Sequence, residues 1–168
     1  MSGRPKIDAL FEALGIETET IEHPPVHTVE EALPYWAGLD ATHTKNLFLK
    51  GQKGDLWLLC AESSRRIDLK SAAQQVGAKR FSFANDDLLF ETLGVKQGAV
   101  SPLALVNDKA GVVRLIFDSG LAEATRLAFH PLVNSATVAI GTKDVLAFLA
   151  AIDHVPEIIP VGMPSAEA

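Results

Sequence analysis

The strongest constraint on the fold is one short stretch. The run Leu56-Trp-Leu-Leu-Cys-Ala61 follows Asn46-Leu-Phe-Leu-Lys50 across Gly51-Gln-Lys-Gly54. Two apolar runs of strand length, separated by a polar turn with a glycine at each end, read as a β-hairpin. A chain carrying such a pair has to build a sheet around it. Cys60, inside the second run, reads as a small core residue, because nothing cationic adjoins it in sequence to activate its thiol. As the only cysteine it also excludes a disulfide framework and a thiolate metal cluster.

Turn and cap signals divide the rest of the chain. Ile7, Leu10, Phe11 and Leu14 recur at helical spacing between Pro5 and Gly15 and predict a short helix with one buried face. Residues 18–22 alternate and predict a strand ending at His23-Pro24-Pro25. Thr28-Val-Glu-Glu31 fits a capping box, so a brief helix should begin there. Asp68 opens a helix through Val76 that stops at Gly77. A short strand over 81–84 precedes a helix from Asn85 to Leu93. Residues 103–107 and 112–118 flank Asp108-Lys-Ala-Gly111 and predict a second hairpin. Strands over 126–130 and 136–141 and a helix over 142–152 complete the pattern. Strands outnumber helices, and tight turns join most neighbours. This predicts an α+β fold: a mixed, mostly antiparallel sheet flanked by helices.

The 168 residues suit one domain, with its core from about residue 20 to 160. The proline-containing tail, 154–168, is expected to lie over the surface or be disordered. A 48% apolar and 21% charged composition excludes intrinsic disorder. No secretory h-region and no run of membrane-spanning length is present, so a cytoplasmic location without membrane contact is expected.

Familiar catalytic signatures are missing: no Gly-x-Ser-x-Gly, no Walker A loop and no His-Glu-x-x-His. The five histidines lack the i, i+4 spacing of a helical metal site, and no metal is expected. Three segments carry unusual polar residues. Thr42-His-Thr-Lys-Asn46 precedes an apolar strand; it is either a solvated turn or the place where Lys45 and Asn46 project into a cleft at the sheet edge. Gly98-Ala-Val-Ser-Pro102 is a loop that cannot be regular helix, and its backbone N–H groups could face an anion or a polarised carbonyl. His130-Pro-Leu-Val-Asn-Ser-Ala-Thr137 puts a histidine at a strand end before a proline bend. A lone histidine of that kind is more often a hydrogen-bonded structural residue than a catalyst.

With His23-Pro-Pro-Val-His-Thr-Val-Glu-Glu-Ala32, His43-Thr-Lys-Asn-Leu-Phe-Leu-Lys50, Arg66-Ile-Asp-Leu-Lys70 and Gly77-Ala-Lys-Arg80, these segments run in family order over most of the chain. The sequence resembles the YbaK-like editing domains associated with prolyl-tRNA synthetase, and is most similar among them to free-standing Ala-tRNA(Pro) deacylases (ProXp-ala). The resemblance implies hydrolysis of alanine wrongly esterified to tRNA(Pro), without an enzyme nucleophile and without a cofactor. Lys45, Asn46 and His130 would be the catalytic set, with Lys45 steering the 3′ end. The backbone of Gly98, Ala99, Val100 and Ser101 would cradle the scissile carbonyl, and Leu47, Ile67 and Val100 would line an apolar amino-acid pocket. Lys45, Lys50, Arg66 and Arg80 would contact tRNA. The implied partner is the acceptor end of tRNA(Pro), with transient association with prolyl-tRNA synthetase compatible and the oligomeric state open. Rival readings are a deacylase for Cys-tRNA(Pro) or a mischarged Ser-tRNA, a non-catalytic tRNA-binding module, and a small-molecule esterase.

The net charge of −6 excludes a uniformly basic RNA binder. Its distribution is uneven: residues 43–80 carry +5 and the remainder −11. One basic sector on an acidic body suits brief, salt-sensitive contact with an RNA end. It is equally the composition of an ordinary solvated face.

Overall fold

A computed structural model describes residues 4–26 and 28–162. The predicted hairpin lies at the middle of its sheet. Strand β2 (Thr42–Gly51) pairs antiparallel with β3 (Leu56–Glu62), Asn46 opposite Cys60 and Leu49 opposite Trp57. Residues 57–61 of β3 are all buried. A strand buried on both faces has no polar side to display, hence its unbroken apolar run.

The two faces feed two cores. Phe48, Leu58 and Cys60 join the larger one with Ile7 and Phe11 of α1 (Arg4–Leu14) and Val145 and Phe148 of α6 (Thr142–Ala151). Leu49, Trp57 and Leu59 point the other way, onto Ala72 and Ala73 of α3 (Leu69–Val76). Leu14, expected on the buried face of α1, is instead exposed at the helix end, where Gly15 turns the chain at φ +68°. Asp68 caps α3 through the Ser71 N–H, and Gly77 closes it in the left-handed conformation. Asn85 caps α4 (Asp86–Leu93) in the same way.

The strand order is β1-β7-β6-β2-β3-β5-β8, with β1 (Thr18–Glu22), β5 (Val113–Asp118), β6 (Arg126–Phe129), β7 (Ala136–Gly141), β8 (Glu157–Ile159) and β4 (Phe81–Phe83), which pairs β2 off this path; the short α5 (Ser119–Ala122) follows β5. The β1–β7, β6–β7, β2–β3 and β2–β4 pairs are antiparallel, and three others parallel. The sheet is mixed and mostly antiparallel, as the sequence predicts.

Two predictions need correction. Residues 103–107 form no strand; Pro102–Asn107 is a 3₁₀ helix, and β5 (Val113–Asp118) runs parallel to β3 instead of making a hairpin. Pro102 lacks the N–H a ladder requires but suits a helical first position, and the Ser101 hydroxyl caps the turn by accepting from the Leu103 N–H at 3.1 Å. Residues 154–162 of the tail are ordered. β8 (Glu157–Ile159) adds an edge strand to β5, and Val161 is buried, its N–H donating to Asp118 Oδ1 at 3.1 Å. Pro156 and Pro160 bracket that strand, which an edge tolerates. Residues 163–168 lie outside the described residues.

Candidate active site

The sheet forks along β2. On the edge away from β3, residues 42–43 pair with β6 and residues 49–51 with β4. Between them no described strand covers this edge. Lys45 and Asn46 lie in the gap, inside a strand that begins at Thr42; the segment read as a possible solvated turn is sheet.

A cleft of about 210 Å³ opens there, lined by Val26, Thr28, Ala32, Trp36, Thr44, Lys45, Asn46, Gln97, Gly98, Val100 and His130. It is smaller than the roughly 300–1,000 Å³ of sites for drug-sized ligands. One wall is α2 (Val29–Trp36), whose N-cap Thr28 accepts from the Glu31 N–H at 3.1 Å. The three polar segments of the sequence, over 200 Å³ of shared space, thus meet at one point with the His23–Ala32 segment. His27 lies outside the described residues.

Hydrogen bonds hold these walls together. Asn134 Nδ2 donates to the Val26 carbonyl at 3.0 Å and the Val26 N–H donates to the Asn134 carbonyl at 3.1 Å. Gly98, at φ +88°, packs against this clamp; an added Cβ would sit 3.7 Å from both partners, so conformation rather than space demands glycine. Behind the cleft, Trp36 Nε1–H donates to Thr137 Oγ1 at 3.2 Å, and Thr137 Oγ1 lies 2.8 Å from His23 Nε2. His23 Nδ1 faces the Pro24 carbonyl at 2.9 Å and must be the N–H donor there, so Nε2 accepts the Thr137 hydroxyl proton. Trp36 also stacks on His43, ring centroids 4.0 Å apart.

His130 Nδ1 lies 2.9 Å from the Ala136 carbonyl and is likewise the donor. Nε2 then carries the lone pair of the neutral ring, with no hydrogen-bond partner among the described residues. Burial pushes the His130 pKa down; the Ala136 carbonyl pulls the other way, and nearby His23 adds to the lowering. His43 is lowered for the same leading reason, against the Leu39 carbonyl, with His130 contributing. Burial also lowers the Lys45 ammonium. Asn46 donates to Thr44 Oγ1 at 3.4 Å, while its Oδ1 is buried with no partner. A buried acceptor left unmatched is costly without a ligand, which marks it as a group awaiting one.

The other predicted residues are placed elsewhere. Leu47 and Ile67 pack in the second core with Leu49 and Trp57, on the far face of the sheet, because odd-numbered residues of β2 beyond Asn46 point that way. Ala99 is buried, its N–H donating to the Lys96 carbonyl, and it borders a neighbouring groove. Ser101 is fully buried and occupied as a helix cap. From the 98–101 loop only Gly98 and Val100 line the cleft. Arg66 is exposed in the loop after β3, whose end pairs with Thr44 beside the cleft. Lys50 and Arg80 are exposed at the opposite end of β2, about 17 Å along the strand from Lys45. The basic set is divided, not convergent. Reasoning from the sequence missed Trp36, Gln97, Thr137 and Asn134. The last two sit inside the quoted His130–Thr137 segment, but only the folded contacts reveal what they hold.

The forked sheet frames a small cleft at which three polar segments of the chain meet. Residues 23–148 match the model of the aminoacyl-tRNA editing domain family. The chain belongs to that family. It is 39% identical over 158 residues to the Danio rerio prolyl-tRNA synthetase associated domain-containing protein 1, covering 93% of this chain and 86% of that protein. It is 36% identical over 145 residues to the prolyl-tRNA editing protein ProX of Acetoanaerobium sticklandii, covering 86% of this chain and 88% of that one. A crystal structure described as a proposed trans-editing enzyme for prolyl tRNA synthetase superposes with TM-score 0.74 at 18% identity, covering 96% of this chain and 98% of that one. At that identity the structural likeness speaks for the fold.

Proposed function

We propose that this chain is a deacylase acting in trans on mischarged tRNA, hydrolysing the ester of Ala-tRNA(Pro). Membership of the editing-domain family and similarity to a protein named for prolyl-tRNA editing support the reaction class. The observation that carries the reading is the unmatched buried Asn46 Oδ1 in a small cleft shared with Lys45 and His130. An α-ammonium group is the donor such an acceptor lacks.

In this reading the alanyl group enters between Val26, Ala32, Trp36 and Val100, its ammonium donating to Asn46. Lys45, partly withdrawn from water, attracts the 3′-terminal phosphate or ribose more strongly than an exposed lysine would. A water whose proton is accepted by His130 Nε2 adds to the ester carbonyl, near the Gly98–Val100 backbone. The carbon–oxygen bond to the ribose breaks, the ribose oxygen takes up the proton, and alanine and free tRNA leave.

Selectivity follows from size. A site made for proline rejects alanine poorly, since each missing methylene is worth only about 1–3 kcal/mol. A second, smaller site rejects proline by overlap. Trp36, fixed by its bond to Thr137 and its stack on His43, forms a wall that cannot readily yield. The test is deacylation of Ala-tRNA(Pro) beside Pro-tRNA(Pro), Ala-tRNA(Ala), Cys-tRNA(Pro) and Ser-tRNA. Rapid loss from Ala-tRNA(Pro) alone is expected; equal rates on all would overturn the proposal, and a Cys or Ser preference would reassign the substrate. Acceptor-end binding without turnover would make the chain a binding module.

A further inference from the structure

We propose that the groove beside the cleft, between Phe90, Pro25 and Leu132, seats the terminal nucleoside of the RNA, with Phe90 as the stacking face for its base. This rests on the deacylase reading and extends it to the part of the substrate that the cleft is too small to hold.

The cleft and the groove meet at Gln97, which lines both. Consecutive residues line one on each side: Val26 and Gly98 the cleft, Pro25 and Ala99 the groove. A ligand esterified at its ribose, with its acyl group in the cleft, therefore has its sugar at Gln97 and its base in the groove. The groove measures about 530 Å³, within the range of small-molecule sites. Leu89 and Leu93 of α4 face the core, which turns Phe90 outward, 55% exposed. A large aromatic face open to solvent at the rim of a site is what a nucleobase stacks on, whichever base it is.

Charge decides which part of the nucleotide belongs there. On the outer side of Phe90, a further hollow of about 580 Å³ is bordered by Asp86, Asp87 and Glu91, with Lys96 the one cation among its described lining residues. Three carboxylates repel a phosphodiester chain. Lys96 also lines the groove and is the one charged residue among its described lining, so the neutral base and ribose fit there, and the RNA backbone leaves on the other side, past Lys45.

The test compares wild type with Phe90→Ala, Phe90→Leu and Phe90→Trp on Ala-tRNA(Pro). All three should melt with wild type, since the side chain lies outside the core. Phe90→Ala should raise KM about tenfold with kcat nearly unchanged. Phe90→Leu, which keeps the apolar area without the ring, should resemble Phe90→Ala, and Phe90→Trp should match wild type or bind more tightly. An active wild type whose Ala and Leu variants keep its KM would overturn the subsite alone, as would Leu substituting fully for Phe. A wild type inert on every mischarged tRNA would overturn the deacylase reading and the subsite with it.

Discussion

Two histidine environments, one buried and one at the cleft, separate what holds this protein together from what its cleft offers a ligand. His154 is matched on both sides: Nδ1 lies 2.6 Å from the Ile152 carbonyl and Nε2 2.9 Å from Asp108 Oδ2. The Asp108 carboxylate also accepts the Val112 and Val113 N–H groups, at 3.2 and 2.8 Å. This cluster ties the end of α6 to the start of β5 and leaves no polar atom idle. His130 is held on one side only, and beside it Asn46 Oδ1 has no partner. Closed polar networks make rigid structure, and open ones make sites.

Substitutions in the two places should separate activity from stability. The largest effect is expected for Lys45→Ala: deacylation of Ala-tRNA(Pro) should fall about a hundredfold or more, while the melting temperature hardly moves. An unchanged rate in the purified variant would remove Lys45 from the site. His154→Ala should do the reverse. It takes the imidazole from the buried Asp108 carboxylate, leaving it only the Val112 and Val113 N–H groups, and should cost about 3 kcal/mol in urea unfolding, with kcat/KM of the folded variant preserved. Lost activity in a folded His154 variant would break the comparison.

His130→Ala should sit between these, with about a hundredfold loss in rate and about 1 kcal/mol in stability from the Ala136 hydrogen bond. Wild-type activity there would make His130 purely structural. The smallest effect concerns pH. Burial holds His130 and His43 below the ordinary value near 6.5, so the unfolded chain takes up protons at these positions first as pH falls. Their stabilising contribution is full above that value and is lost as pH drops through the lower folded values. Deacylation should decline over the same range, because protonated Nε2 cannot accept from water. In His130→Ala that acid limb should flatten; an unaltered limb would assign it to another group.

Much of the fold was legible because local chemistry and tertiary context agreed. Thr28, Asp68 and Asn85 cap the helices they announce, and Gly77 and Gly94 end them. The 102–107 segment misled because an apolar run flanked by turn residues suits a buried strand and a buried 3₁₀ helix alike, and Pro102 decided for the helix. The order in the tail came from a long-range match, Asp118 with the Val161 N–H and Arg65 at 3.1 Å, which no local pattern reveals.

The candidate site divides the same way. Sequence by itself determined the central hairpin, the helix limits and the three polar segments, since periodicity, capping and turn chemistry act over a few residues. Only the tertiary structure decided that β2 forks, that Lys45 and Asn46 lie in the gap, and that Leu47 and Ile67 belong to the core behind it. Which face a side chain takes, and which strand lies beside it, depends on partners far away in the chain, as His23 is 114 residues from Thr137. Those pairings follow from burying the whole apolar surface at once, a condition no single segment contains.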